Sequence, residues 1–140
     1  MKLQSWKGQA AIEYMTVFGI ALLLAAPFVL KAQQSIVELQ SGSNKIAVQD
    51  SLNDIETAVR TVSAAGEPAL TRFTVSIPRT VNSTEVNTNS VEIVLDTPSG
   101  YSTSRRFFNF NLTGELPSEP GLYVLEAQAV NGSVNIEVVS

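Results

Sequence analysis

The chain carries few of the side chains that enzymes use for catalysis. Its 140 residues include no histidine and no cysteine, which removes the usual general base, the thiolate nucleophile and the commonest metal ligands. Catalysis would have to rest on carboxylates alone, as in glycoside hydrolysis. Glu115 and Glu119 flank Pro117 and Pro120, and prolines at these positions are typical of a solvated loop. We therefore expect a protein that is not an enzyme and that holds neither a metal ion nor a cofactor.

Three asparagines stand in Asn-x-Ser/Thr acceptor sequences for N-glycosylation, namely Asn82, Asn111 and Asn131. This modification requires exposed chain outside the cytoplasm. The polar stretch from Asn82 to Ser90 reads as a loop, which makes Asn82 the first candidate. Asn131 precedes a glycine and is equally explained as a turn residue that tolerates a positive φ. Such motifs also arise by chance in a chain rich in Asn, Ser and Thr.

A single acid, Glu13, stands at the head of a long apolar run. From Tyr14 to Leu30 no residue is charged, and counted from Ala10 the run supplies the about 20 residues that a ~30 Å hydrocarbon core requires. A carboxylate at the centre of a membrane helix costs ~2.5–3.5 kcal/mol and less near an end. Glu13 therefore requires a partner, unless it lies in the headgroup region of a simple membrane anchor.

The short leader before the apolar run is basic. It contains Lys2 and Lys7 and no acid, so the positive-inside rule predicts a cytoplasmic N-terminus and an extracytoplasmic chain after the run. A secretory signal peptide shares the basic start and the apolar middle but ends at a small-residue cleavage site. Here Pro27 follows two alanines directly, and Ala32 has the bulky Leu30 two residues before it. We therefore expect the apolar helix to stay on the mature protein.

The sequence KGQAAIEY, from Lys7 to Tyr14, resembles the processing motif of archaeal type IV pilin precursors, the class III signal peptide. The resemblance implies that a prepilin peptidase cuts between Gly8 and Gln9 on the cytoplasmic side, behind the basic residue of the motif. Glu13 would then become the fifth residue of the mature chain, where type IV pilins generally carry a glutamate. A serine often stands two residues before that glutamate in the family, and Ala11 takes its place here.

Membership in this family implies a structural subunit of a helical homopolymer. The precursor would wait as a single-pass membrane protein, and type IV pilus assembly machinery would lift the processed subunit into a surface filament outside the cell. In the family such filaments serve adhesion, biofilm formation or motility. The new α-amine of Gln9 would lie one helical turn from Glu13. We hypothesise that Glu13 sets the subunit register, since a buried ion pair adds little net stability but penalises a register that leaves its charge unpaired.

Helical periodicity continues beyond Leu30. An apolar stripe with spacings of three, four and three predicts an amphipathic helix that covers one face of a sheet; it consists of Leu52, Ile55, Val59 and Val62. The polar stretch Ser41–Asn44 predicts a kink, a loosened turn or a break. Gly66 and Pro68 predict that the helix ends near Ala65.

From Arg72 onward the apolar period changes to two, which is typical of strands. Three runs alternate in this way: Phe73–Ile77, Val91–Asp96 and Phe108–Leu112. The pair Asn131-Gly132 between two β-rich runs predicts a two-residue hairpin. About five strands after one helix predict an α+β fold, in which the apolar half of the long helix projects from a small antiparallel sheet or sandwich. Phe107, Phe108 and Phe110 are expected in its core.

The resulting organisation is a leader over residues 1–8, a long helix over 9–66 and a β-rich head over 67–140. The helix has an apolar part, 9–30, and an amphipathic part, 31–66. The net charge of −4 becomes −6 without the two leader lysines, and an acidic surface does not attract nucleic acid. The one basic pair, Arg105-Arg106, would point to opposite faces of a strand and form no patch.

Two other functions remain open at this point. One is a membrane-anchored extracellular binding domain that keeps its helix in lipid and never polymerises. The other is an extracellular hydrolase that depends on carboxylates.

Overall fold

The computed structural model describes residues 2–140, with side chains from Gly8 onward. One long helix, α1 (Lys2–Ala65), precedes all the strands, and the expected α+β fold with a small, mainly antiparallel head is confirmed. The strands are β1 (Leu70–Ile77), β2 (Val81–Asn87), β3 (Ser90–Thr97), β4 (Gly100–Phe107), β5 (Asn111–Gly114), β6 (Gly121–Val130) and β7 (Ser133–Val138).

The chain forms two compact units. The first ends at Gln40, and the second, Ser41–Ser140, contains the C-terminal part of α1 together with every strand. The helix runs without a break through Ser41–Asn44, so the loosened turn or break predicted there is not found. Small polar residues cost a helix less than about 1 kcal/mol each, and the helical residues on both sides outweigh that cost.

The C-terminus of α1 lies where the sequence predicts it. Gly66 has a φ of 69°, a left-handed conformation that glycine adopts without strain. Its N–H donates to the carbonyl oxygen of Val62 at 3.0 Å, and the Gly66 carbonyl oxygen accepts from the N–H of Ala69 at 2.8 Å. These bonds satisfy the end of the helix and turn the chain into β1.

The strands form two sheets. The four-stranded sheet has the order β1-β6-β7-β5, and the three-stranded sheet has the order β2-β3-β4. All neighbours are antiparallel except β5 and β7, which are parallel. The predicted hairpin is confirmed, because Asn131 and Gly132 join β6 to β7 with φ values of 49° and 74°, the conformation of a two-residue turn with both central residues at positive φ.

Seven strands replace the five that apolar alternation predicts. The predicted loop Asn82–Ser90 is wrong, since most of it is β2. The predicted strand Phe108–Leu112 is also wrong over its first three residues, and β5 begins only at Asn111. Apolar alternation does not predict strands β2 and β4, because their sequences, VNSTEVN and GYSTSRRF, are largely polar. Pairing with the apolar β3 brings both into a sheet, as context commonly does for strands.

One hydrophobic core joins the end of α1 to both sheets. The predicted helix stripe is confirmed: Leu52, Ile55, Val59 and Val62 are all fully or almost fully buried. Every strand except β4 contributes apolar side chains to this core. The buried ones are Val75, Ile77, Val91, Ile93, Leu95, Leu112, Leu125, Ala127, Ala129, Val134 and Ile136, and the partly buried Val81 and Val86 of β2 pack against them.

Polar contacts fasten the second half of α1 to an edge strand of each sheet. The Ser51 hydroxyl donates to the carbonyl oxygen of Ser76 in β1 at 2.9 Å and accepts from the Ser76 N–H at 3.1 Å. On the other sheet, Arg106 of β4 donates to Gln49 at 3.0 Å and to Asn53 at 3.2 Å. The part of α1 from Ser41 onward is therefore an integral part of the head.

The two adjacent arginines of β4 point to opposite faces, as predicted. Arg105 forms an ion pair with Glu92 across the strand pair, whereas Arg106 reaches the helix. The expectation that three neighbouring phenylalanines are core residues holds for Phe108, which is buried, and in part for Phe110. It is wrong for Phe107, which is 63% exposed because it falls on the outer face of β4 together with Arg105.

Candidate assembly surface

The first unit presents an apolar helix surface. No residue from Gln9 to Gln40 is buried, although most of these residues are apolar types that are usually found in protein cores. The large apolar side chains exposed over more than half of their area are Ile12, Tyr14, Met15, Val17, Phe18, Ile20, Leu22, Leu23, Leu24, Phe28, Val29, Leu30, Ile36 and Leu39. Soluble proteins rarely expose contiguous apolar patches above a few hundred Å², and larger ones mark contacts with protein or membrane.

This part of α1 is long and apolar enough to cross a membrane, by length and composition. A helix that is apolar on all its sides belongs inside a bilayer or inside a protein core. A secretory signal sequence would have the same features. The same features therefore suit a membrane anchor, a helix packed against other copies and a signal sequence.

Glu13 has one polar contact in the part of the chain that the structure describes. The Gln9 carboxamide donates from Nε2 to Glu13 Oε1 at 3.3 Å, one turn away on an exposed surface. Glu13 forms no ion pair within residues 8–140. Its carboxylate can therefore accept a cationic group from elsewhere, either from the N-terminus that a cut before Gln9 would create or from another molecule.

The predicted processing residues lie on the first turns described. A Cβ added at Gly8 would meet nothing within 4 Å, so crowding within the chain does not require glycine there. The side chain of Lys7, the predicted basic residue ahead of the cut, lies outside the described residues.

The three candidate glycosylation sites are exposed and lie on the head. Asn82 is not in a loop, as the sequence suggests, but in β2 at a register irregularity between Val81 and Ser83. Asn111 opens β5 and stands in register with Ser133 of β7. That pairing brings the second sequon beside the third, because Ser133 is the hydroxyl residue that belongs to Asn131.

The acids considered for hydrolysis lie on an irregular segment, residues 115–120, after β5. Both Glu115 and Glu119 are exposed there. Within the described residues no group of three or more acidic, histidine or cysteine side chains is placed to hold a metal ion.

Apolar exposure beyond the membrane-length segment is a feature that the sequence pattern did not single out. Ile36, Leu39 and Ile46 continue the helical periodicity but remain exposed. Ile46 lies nine residues before the buried Ile55, which places it on the opposite side of the helix at 100° per residue. The sequence alone could have indicated this exposure, because these three residues do not belong to the apolar stripe from Leu52 to Val62.

Comparison of the chain with protein-family models, with curated protein sequences and with solved structures finds no match.

Proposed function

We propose that this protein is the structural subunit of an extracellular filament of the archaeal type IV pilus kind. A prepilin peptidase cuts the membrane-bound precursor between Gly8 and Gln9, assembly machinery lifts the subunit from the bilayer, and the apolar helices pack together along the filament axis. The heads then face water and serve attachment to surfaces.

One observation carries the proposal: the apolar side chains of residues 10–30 are exposed, while the second unit has a complete core of its own. Burial of apolar area contributes about 25 cal/mol per Å². Leu23 and Phe28, at 75% and 76% exposure, therefore favour any environment that removes them from water. Lipid supplies this environment before assembly, and copies of the same helix supply it afterwards.

The position of Glu13 distinguishes a filament subunit from a plain anchor. An anchor gains nothing from a carboxylate at the edge of hydrocarbon, where it carries a cost. In a polymer the Glu13 carboxylate can form an ion pair with the ammonium group of a processed N-terminus, either its own or that of a neighbouring copy. Such a pair selects one register, because every other register leaves a charge desolvated without a partner.

The mature N-terminus tests the proposal directly. Surface structures are sheared from cells, purified by sedimentation and analysed by mass spectrometry of the terminal peptide. We expect filaments whose chain begins at Gln9. A chain that begins at Met1 and stays in the membrane fraction would support the monomeric binding domain, and a soluble chain that begins after Leu30 would support secretion.

Substitution of Glu13 tests its role in register. We expect Glu13→Ala and the near-isosteric Glu13→Gln both to leave cleavage intact and to reduce filament mass at least about tenfold, since both remove the charge. Glu13→Asp keeps the charge and should retain part of the assembly. Normal filaments from Glu13→Gln would contradict the register role but not the filament itself.

The head carries the proposed N-glycans. Asn82 is the best acceptor, because it lies at the register irregularity of β2, whereas Asn111 is in register with Ser133. The turn at Asn131 is held by a hydrogen bond from its N–H to Glu67. We expect a glycan mass on the Asn82 peptide that Asn82→Gln removes, whereas Asn131→Gln leaves the total glycan mass unchanged. An unmodified Asn82 peptide from native filaments would contradict this assignment.

A further inference from the structure

From Lys31 to Lys45, α1 carries isolated charges at a regular spacing. Lys31 and Glu38 are seven residues apart, and Lys45 stands seven residues further along the sequence. Residues seven apart on a helix lie two turns apart on nearly the same face. All three side chains are exposed, and within residues 8–140 none of them forms an ion pair.

The same helix offers these charges no partner of opposite sign. Ion pairs along a helix surface need a spacing of three or four residues. Around Glu38 those positions hold Gln34, Ser35, Ser41 and Gly42. Charged side chains that alternate in sign every two turns are too far apart to form ion pairs within one helix. They can form ion pairs with a second copy that is shifted by two turns.

Apolar residues of the first unit repeat with the same period. Leu22, Val29 and Ile36 form one column at spacings of seven, and Ala32 and Leu39 form another; the large members of both are exposed. A shift by seven residues therefore places apolar side chains beside apolar side chains. Charged residues that flank such a seam set the partner and the alignment of packed helices.

We infer that neighbouring copies pack their α1 helices in parallel with an axial stagger of seven residues, about 10.5 Å, so that Lys31 of one copy lies beside Glu38 of the next. This inference rests on the proposed filament. It assigns to residues 31–45 a second register device, separate from Glu13, and names the occupant of the exposed face as another copy of the same chain.

Other parallel alignments do worse electrostatically. With no stagger each charge would face its own kind, and with a stagger of fourteen residues Lys31 would face Lys45. A stagger of three or four residues would place Lys31 beside Gln34 or Ser35, which gives no ion pair. Like charges side by side suppress wrong pairings, while opposite charges favour the right one.

A charge exchange tests the stagger in the full-length chain. Glu38→Lys makes the series uniformly positive and should reduce filament mass at least about tenfold at low salt. The triple variant Lys31→Glu, Glu38→Lys and Lys45→Glu reverses every sign, keeps each neighbour opposite, and should restore assembly to within about twofold of wild type. Hydrogen exchange of the head, unchanged in both variants, would show that folding is intact.

The outcomes separate the two proposals. Wild-type chains that never polymerise would overturn the filament and the stagger together. Wild-type filaments with Glu38→Lys equally able to assemble, or with a triple variant that fails to recover, would overturn the stagger alone. Added salt should weaken the effect of Glu38→Lys, because exposed charges are screened beyond a few ångströms at high ionic strength.

Cross-linking provides an independent readout, since the chain has no native cysteine. The double variant Ala32→Cys with Leu39→Cys places a thiol on each side of the contact between two copies. Under mild oxidation of filaments we expect disulfide-linked pairs of copies, whereas either single variant should stay unlinked. Disulfides require Cα atoms within about 7 Å, which two positions seven residues apart on one helix do not satisfy. Filaments without linked pairs in the double variant would overturn the stagger.

Discussion

Two leucines of the same helix show how the two units differ. Leu52 is fully buried in the core of the head, whereas Leu23 is 75% exposed. Both belong to α1, and both would be assigned to the interior of a protein by residue type alone. Their difference teaches that the second unit completes its core with its own chain, while the first has apolar surface that only another molecule or lipid can cover.

The comparison extends to the charged residues. In the second unit, Arg72, Arg105 and Arg106 each form an ion pair with a glutamate. In the first unit, Lys31 and Glu38 form none within the described residues. The head therefore has ion pairs within its own fold, whereas Lys31 and Glu38 stand beside exposed apolar side chains, as the proposed contact between copies requires.

The largest expected loss of stability comes from a substitution at Gly114, where β5 pairs with β7. Gly114 has a φ of 107°, and a Cβ there would overlap the backbone carbonyl of Ile136 in the neighbouring strand β7. Gly114→Ala should lower the free energy of unfolding by about 4 kcal/mol or more. Gly100→Ala shares the strained φ but meets open space, and should cost about 1–3 kcal/mol. Chemical denaturation of the full chain in detergent measures both, and equal losses would contradict the crowding at Gly114.

The matched leucines test the comparison itself. Leu52→Ala should lower the free energy of unfolding by about 2–5 kcal/mol, since it leaves a cavity in the core. Leu23→Ala should change it by no more than about 0.5 kcal/mol, yet should weaken filament assembly. Hydrogen exchange in β3 and β6 reports the first quantity, and sedimentation of filaments reports the second. A head destabilised by Leu23→Ala would break the distinction between the two units.

A smaller effect is expected from the arginines of β4. Arg106→Ala removes hydrogen bonds to Gln49 and Asn53 and an ion pair to Glu56 at 3.3 Å. It should cost about 1–3 kcal/mol, the usual penalty for leaving partly buried polar partners unsatisfied. Arg105 is the more exposed of the two arginines, and Arg105→Ala, which removes its ion pair with Glu92, should cost about 1 kcal/mol or less. If Arg105→Ala proved the more damaging in thermal unfolding, the attachment of α1 to β4 would not depend on Arg106.

The strands show where sequence reasoning reaches its limit. The turn at Asn131-Gly132 and the alternation in β3 are local signals, and both predictions are confirmed. Strands β2 and β4 carry no such signal, since the inward residues of β4 include Ser104 and Arg106. These two hydrogen-bond to the helix instead of filling an apolar core. The prediction that Phe107 is a core residue is wrong because the face on which it lies depends on the register between β3 and β4, which no local pattern shows.

The sequence by itself determined the elements whose causes are local: the apolar run and its lone acid, the amphipathic stripe that ends at Gly66, and the hairpin. Each depends on residue type and on spacing within a few turns or strands. Only the tertiary structure decided which apolar residues are covered, that β5 runs parallel to β7, and that Arg106 fastens the helix to a sheet. These features arise from pairing between segments far apart in sequence, and no local pattern records that pairing.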